Sequence, residues 1–164
     1  MKSPVMSRTE LSSPEAPSQL APAVDGDLAF LSRFAGPLVL LARAMLSYIF
    51  ILEGAEKIAH YVDVGEYMRQ NGVAPALLPL VILTELGGGL LVLVGLKTRC
   101  AAMALMGFCL LTALFFHLAP DQAIQFNKNI AIAGGLLALA TFGPGPWSID
   151  GWRGRAADAE DRVR

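Results

Sequence analysis

Four long apolar runs dominate this sequence, and each approaches the length of about 20 residues that a helix needs to cross the hydrocarbon core of a bilayer. They cover approximately residues 37–58, 75–96, 100–119 and 129–147. A helix of a soluble bundle keeps one polar face, whereas these runs are apolar nearly all round. The sequence therefore predicts an all-α fold, an integral membrane four-helix bundle.

The basic residues predict how this bundle is oriented, because Lys and Arg accumulate in cytoplasmic loops. Four spans place both tails on the same side as the connection between the second and third spans. That side holds nine basic residues: Lys2, Arg8, Arg33, Lys97, Arg99, Arg153, Arg155, Arg162 and Arg164. The opposite side holds three, Lys57, Arg69 and Lys128, and Arg43 lies within the first span. We therefore expect a multi-pass protein of a bacterial inner membrane with both termini in the cytoplasm.

The remaining segments divide the chain into a single membrane domain and two tails. Residues 1–30 are polar and rich in proline, a composition that predicts a disordered cytoplasmic tail. Residues 31–152 form the predicted four-helix transmembrane domain, whose first and second spans begin at Pro37 and Pro75 in first-turn positions. Residues 153–164 form a short charged tail. Within the longest connection, residues 60–74, we expect a short helix at 62–69 that ends at Asn71-Gly72.

Several ionisable residues interrupt the apolar runs, although each costs about 2.5–3.5 kcal/mol on a mild insertion scale. Helical spacing places Arg43, Glu53 and Lys57 on one stripe of the first helix, and Glu85 lies about 15 Å into the second helix. His117 closes the third helix, while Asn127 and Lys128 open the fourth. We predict a polar funnel with Glu85 at its floor, which combines the following residues: Glu53, Lys57, Glu85, His117, Asn127 and Lys128.

Structural explanations for the same residues stay open. Glu53 precedes Lys57 by four positions, which favours a neutralising ion pair within the helix. In a second structural alternative, Glu85 forms a buried ion pair with Arg43 and has no functional role. His117 and Lys128 are close enough to the predicted interface to extend towards water.

Other classes of site find no support in the sequence. Cys100 and Cys109 are nine residues apart, so they point to opposite sides of one helix and cannot bridge each other. No zinc-ligand spacing, nucleotide-binding glycine loop or nucleophile motif occurs, and no cofactor motif is evident. The formal net charge of −1 gives no reason to expect nucleic-acid binding, which needs a basic face. The expected surroundings are a lipid bilayer and a protein partner or a second copy of the chain.

A series of short motifs in residues 40–150 resembles the DoxX-like family of small four-helix bacterial membrane proteins. The motifs are Phe50-Ile51-Leu52-Glu53-Gly54-Ala55-Glu56-Lys57, Gly72-Val73-Ala74-Pro75, Glu85-Leu86-Gly87-Gly88, Gly95-Leu96-Lys97-Thr98-Arg99, Phe115-Phe116-His117, Asn127-Lys128-Asn129, Gly134-Gly135-Leu136-Leu137, Gly143-Pro144-Gly145 and Ser148-Ile149-Asp150. Their order carries the resemblance, and the predicted funnel residues match the polar positions of the family. The family is named for a subunit linked to thiosulfate oxidation with quinone as acceptor, and other members resemble partners in complexes that handle oxidative or thiol stress.

Three functional hypotheses follow from the funnel and the resemblance. In the first, the chain is a subunit of a redox-associated membrane complex, whose funnel binds a quinone or a small sulfur compound while a carboxylate or His117 moves protons. The second is a small permease or solute-binding protein in which Glu85 meets a cationic solute. The third is a non-catalytic membrane scaffold whose polar core specifies helix register. The first is favoured by the resemblance, and none of them establishes an enzyme.

Overall fold

The computed structural model of the chain describes residues 21–161, and their side chains from Ser32 onwards. The described residues divide into two units between Arg33 and Phe34, and the packing concerns the unit that begins at Phe34. Six helices of ten residues or more follow one another, and no strand occurs within the described range. They are α1 (Ala21–Ala59), α2 (Tyr61–Gln70), α3 (Pro75–Val94), α4 (Thr98–Phe116), α5 (Ala123–Phe142) and α6 (Ile149–Asp161). The predicted all-α class is confirmed.

Three of these helices are long and apolar enough to cross a membrane: Ser32–Ala59 within α1, Pro75–Val94 and Thr98–Phe116. Helix α5 has 20 residues, but Gln125, Asn127 and Lys128 make its first turns polar. It ends at Phe142, before Gly143 at φ 89°, and residues 143–147 of the predicted fourth span follow the helix as non-helical chain. The fourth crossing and the cytoplasmic placement of both termini stay predictions.

Helix α1 begins earlier than the sequence suggested. It starts at Ala21 and runs through Pro37, which is therefore an interior proline instead of a first-turn residue. Residues 21–30 of the predicted disordered tail belong to this helix, with Pro22 in its first turn, where the missing N–H costs nothing. The first 20 residues of that predicted tail lie outside the described range.

The predicted short helix in the connection after α1 is confirmed as α2, and its ending is well satisfied. The amide of Asn71 donates to the carbonyl of Tyr67 at 2.9 Å, and Gly72 takes the left-handed φ of 75° that residues with a side chain rarely adopt. The backbone N–H of Val73 then donates to the carbonyl of Met68. Met68 itself is buried, so α2 is packed against the bundle.

Small residues permit the close approach of the membrane helices, as is usual where lipid supplies no hydrophobic driving force. The core between α4 and α5 is built largely of alanine, Leu105, Leu136 and Cys109. Two neighbouring glycines of α3 allow two different helices to approach closely, α4 at Gly88 and α1 at Gly89. A Cβ on Gly88 would lie 3.0 Å from Leu105 of α4, and one on Gly89 would lie 3.2 Å from Phe50 of α1.

Arg43 and Asp150 form hydrogen bonds between distant segments at the end of the bundle where α3 passes into α4. The buried guanidinium of Arg43 donates to the carbonyls of Pro144 and Trp147 at 2.9 Å each and of Leu93 at 3.2 Å. The alternative of an ion pair between Arg43 and Glu85 is not found among the described residues, because all of these Arg43 contacts are made to backbone oxygens and Glu85 contacts Lys57.

The carboxylate of Asp150 caps the start of α4 from a distant part of the chain. It accepts hydrogen bonds from the N–H groups of Lys97 and Thr98 at 2.9 Å each and from the Thr98 hydroxyl at 3.0 Å. Burial by itself would raise the pKa of Asp150, but these hydrogen bonds and the charge of Arg153 hold that pKa below its ordinary value. The carboxylate thus stabilises helix-terminal donors that would otherwise lack partners.

Candidate functional site

A cavity of about 910 Å³ lies among α1 to α5 and contains most of the residues that the sequence singled out. Five of the predicted funnel residues line it: Glu53, Lys57, Glu85, His117 and Lys128. Asn127 is not among its lining residues, because Asn129 and Gln125 present the polar side chains of α5 there. The cavity is within the range of about 300–1,000 Å³ that ligand pockets occupy.

Three ionisable side chains form a connected group on the cavity wall. Lys57 Nζ lies 3.0 Å from Glu53 Oε2 and 3.0 Å from Glu85 Oε2. The contact with Glu53 is also a hydrogen bond, while Glu85 Oε2 has no hydrogen bond within the described chain. The Lys57–Glu85 contact is therefore an electrostatic attraction without a well-directed hydrogen bond. Side-chain exposure is 46% at Glu53, 19% at Lys57 and 6% at Glu85.

The ion pair between Lys57 and Glu53 that the sequence indicated is thus present, but it is only half of the arrangement. A buried carboxylate without a counterion would carry a desolvation penalty of several kcal/mol. Lys57 relieves that penalty for Glu85 and keeps its contact with Glu53. The structure thus replaces Arg43 with Lys57 as the partner of Glu85.

Glycine at position 54 explains how Lys57 reaches Glu85. A Cβ on Gly54 would lie 2.9 Å from both the backbone nitrogen and the Cβ of Leu86. Helices α1 and α3 therefore meet in direct backbone contact one residue after Glu85. Because Lys57 stands one turn after Gly54, this contact brings its flexible side chain within reach of the carboxylate.

Glu85 occupies the middle of a π-helical turn, Leu83–Gly87, inside α3. Such turns are rare and occur often at functional sites, because one extra residue in the turn redirects the side chains around it. Beside Glu85, the hydroxyl of Thr84 donates to the carbonyl of Leu80 at 2.8 Å. The sequence reasoning missed this turn, since Thr84-Glu85-Leu86-Gly87 carries no pattern that distinguishes it from a regular helix.

Helices α4 and α5 contribute a second set of polar side chains to the cavity wall, referred to as the donor wall. His117 ends α4, and its Nδ1 atom is buried without a hydrogen-bond partner in the described part of the chain. Lys128 lines the same cavity from α5, together with the amides of Gln125 and Asn129. A buried polar atom without a partner is rare, so His117 Nδ1 indicates a place where a ligand oxygen or a water can bind.

Apolar and aromatic side chains form the rest of the wall. Phe50, Phe108, Phe115 and Phe116 line the cavity, and the ring of Phe116 stacks on Tyr67 of α2 with centroids 5.6 Å apart. Helix α2 contributes Tyr67 and Met68 to the lining, so it covers the cavity near the end of α1. The sequence analysis predicted a short helix here but did not assign it to the site.

The two cysteines differ in their surroundings, and both are free. Cys109 is buried and lines the cavity, whereas Cys100 is exposed. No group of three or more His, Cys, Asp or Glu side chains that could hold a metal ion occurs in residues 21–161. The site therefore offers an apolar chamber, one buried acid with a cationic partner, and donors for an acceptor ligand.

Comparison with known proteins places the chain in a family. The DoxX family model matches residues 38–118. Inner membrane protein YqjF of Escherichia coli (strain K12) is 46% identical over 115 residues, which are 68% of this chain and 88% of that protein. Inner membrane protein YphA of the same organism is 32% identical over 123 residues, 69% of this chain and 88% of that protein. No solved structure matches the chain. The chain belongs to the DoxX family and, in keeping with its three membrane-compatible helices, is a multi-pass protein of the bacterial inner membrane.

Proposed function

We propose that this protein is a subunit of a redox-associated membrane complex and that its cavity binds a quinone. The observation that supports the proposal is a largely apolar cavity whose polar wall carries a buried acid, Glu85, in contact with Lys57. Quinone chemistry needs this combination, because an apolar ring system has to meet a group that can deliver protons.

The residues present fit a quinone. Aromatic rings such as Phe115 and Phe116 offer faces for a flat ring, and the volume of about 910 Å³ accommodates a ring and the first part of an isoprenoid tail. Quinone oxygens accept hydrogen bonds, and His117 Nδ1 and Lys128 can donate them. The ring would therefore lie between this donor wall and the Lys57–Glu85 pair.

A bound quinone would supply the electron acceptor, and the described chain would supply orientation, shielding from water and protons. Reduction to the quinol takes up two electrons and two protons. The electrons come, in this proposal, from a reduced sulfur compound or thiol handled by a partner protein. Once protonated, Glu85 would be placed to deliver one proton to the nearer quinone oxygen, and Lys57 would stabilise the carboxylate that remains. His117, which lines the same cavity, would deliver the second proton.

The proposal is tested by asking whether the cavity retains quinone. We would extract the protein with its native lipids in polymer discs, remove the bulk lipid, and measure the quinone per protein by organic extraction and mass analysis. Gly107 lines the cavity and has no atom within 4 Å of the position of a Cβ, so Gly107→Leu places a side chain into the cavity without a clash at its Cβ. Gly134 is equally open but does not line the cavity, so Gly134→Leu is its matched control.

We expect about one quinone per chain in the wild type and in Gly134→Leu, and a loss of most of it in Gly107→Leu. Glu85→Gln should bind quinone more weakly, because the charge pair that faces the ring is removed. Helicity and monodispersity confirm that each variant is folded. No quinone above the lipid background in a folded wild type, or equal retention in both leucine variants, would contradict the proposal.

A further inference from the structure

We propose that Glu53, Lys57 and Glu85 form a proton relay that connects the exposed side of α1 with the buried end of the cavity. The proposal rests on the proposed function only for the reaction that the protons serve. The relay itself is a property of the three side chains and can be measured without quinone.

The geometry supplies two contacts of equal length. Lys57 Nζ lies 3.0 Å from one oxygen of each carboxylate, which is within the range for direct proton transfer. Its ammonium group carries three donors on a flexible stem. In the observed arrangement one donor is committed to Glu53 Oε2 and the group also approaches the Glu53 carbonyl at 3.4 Å. A small rotation therefore directs another donor at Glu85.

The exposure of the three groups gives the relay its direction. Exposure of the side chain falls from 46% at Glu53 to 19% at Lys57 and 6% at Glu85. Glu53 is thus the most accessible of the three side chains, and Glu85 is nearly sealed. A lipophilic ligand in the cavity would displace water, and Glu85 would then have to exchange protons through the protein.

Lys57 contacts two carboxylates, although one carboxylate would be enough to neutralise its charge. Glu85 alone would neutralise Lys57, and Glu53 alone would do the same. The π-helical turn at Leu83–Gly87 and the close contact at Gly54 bring the second carboxylate to a lysine that already has a partner on its own helix. The arrangement places a proton carrier between two proton acceptors.

The transfer balances as a sequence of three proton movements. The ammonium of Lys57 gives a proton to the Glu85 carboxylate, which leaves a neutral amine and a carboxylic acid. The amine then takes a proton from Glu53, which has been protonated from outside, and Glu53 returns to its carboxylate form. The net result is one proton delivered to Glu85, with Lys57 and Glu53 unchanged.

Other ionisable groups that face the cavity are His117 and Cys109 from α4, Lys128 from α5 and Tyr67 from α2. His117 and Lys128 belong to the donor wall and form no ion pair with the relay residues within the described chain. Glu56 lies on α1 beside the relay, is exposed and is not among the residues that line the cavity. It is therefore the control carboxylate for any general effect of surface charge.

The variant Lys57→Arg distinguishes a proton relay from a purely structural ion pair. Arginine keeps the positive charge and can contact both carboxylates, but it does not release its proton in a protein. A purely structural pair tolerates this change. A relay is blocked by it, although the protein stays folded.

The experiment is a light-triggered pH jump on quinone-free protein in lipid discs, followed by time-resolved infrared spectroscopy of the carboxylic acid band. The band of Glu85 is identified by its absence in Glu85→Gln. We expect Lys57→Arg and Glu53→Gln to slow protonation of Glu85 by roughly a hundredfold, with the rate unchanged in Glu56→Gln. A wild-type rate in Lys57→Arg, or a Glu85 band that never changes with pH, would overturn the relay.

The result is independent of the quinone experiment. Loss of the relay with quinone still bound would leave the proposed function standing, with protons entering by another route. A working relay in a protein that binds no quinone would leave the relay standing and remove the proposed acceptor.

Discussion

Substituting alanine for Gly54 tests the contact that brings Lys57 to Glu85. The new methyl carbon would lie 2.9 Å from the backbone nitrogen and the Cβ of Leu86, whereas ordinary contacts begin at 3.4 Å. The helices α1 and α3 must therefore separate by at least the difference, about 0.5 Å. The obstructing atoms belong to a helical backbone and its first side-chain carbon, so they cannot rotate away.

The magnitude follows from two opposing effects. Alanine is the better helix former by about 1 kcal/mol, and overpacking in a well-packed interior costs about 1–3 kcal/mol. Gly134→Ala provides the reference, because nothing lies within 4 Å of its Cβ position. The helix-forming advantage is common to both variants, so the free energy of unfolding of Gly54→Ala should be lower than that of Gly134→Ala by about 1–3 kcal/mol.

The assay is equilibrium unfolding of both variants in the same lipid–detergent mixture, followed by helical circular dichroism. Infrared spectroscopy of the Glu85 carboxyl group in parallel reports whether its pairing with Lys57 changes as the helices separate. If Gly54→Ala is as stable as Gly134→Ala, the close approach of α1 and α3 is not needed, and the explanation for how the ion pair is assembled is incorrect.

Four further outcomes are expected. Lys57→Met should lower the free energy of unfolding by about 3–5 kcal/mol, because Glu85 is left buried without a counterion. Glu85→Gln should lower it by less, since the Lys57 ammonium keeps its contact with Glu53. Denaturant titration of both variants measures the difference. Arg43→Met should cost about 3 kcal/mol or more, measured in the same way, because three backbone carbonyls lose a charged donor. The pKa of Asp150 is lower in the folded protein than its ordinary value of 3.8. The stability that its carboxylate contributes should therefore be present above pH 3.8 and be lost as the pH falls through the lower, folded-state pKa. Asp150→Asn should lose less stability on acidification than the wild type. Cys100 is exposed at the start of α4, so an impermeant maleimide should label it in inverted vesicles and not in intact spheroplasts if both termini are cytoplasmic.

Features that depend on local composition were predictable from the sequence. The apolar runs identify the membrane helices because hydrocarbon tolerates only segments that satisfy their own backbone. Lysine and glutamate inside those runs are conspicuous for the same reason, and Glu53, Lys57, Glu85, His117 and Lys128 do line one cavity. The short helix α2 was also predictable, since Asn71-Gly72 supplies a stop signal that acts within a few residues.

Features that depend on which surfaces meet were not predictable in the same way. The partner of Glu85 is Lys57 and not Arg43, because the choice is made by the distance between two helices and not by the depth of a residue in its own run. Arg43 instead binds carbonyls of residues some 50 and 100 positions away. Asn129 lines the cavity in place of Asn127 because two residues turn a side chain to the other side of a helix.

The amino-acid sequence alone thus determines a helical membrane protein with a set of costly polar residues in its interior, since hydrophobicity and helical period act over neighbouring residues. Only the tertiary structure decides that these residues surround one cavity, that α2 covers it, and that Lys57 is shared between two carboxylates. The physical reason is that such pairings depend on backbone contacts between distant segments, at Gly54 and Gly89, and on a π-helical turn at Glu85 for which the local sequence carries no recognisable signal.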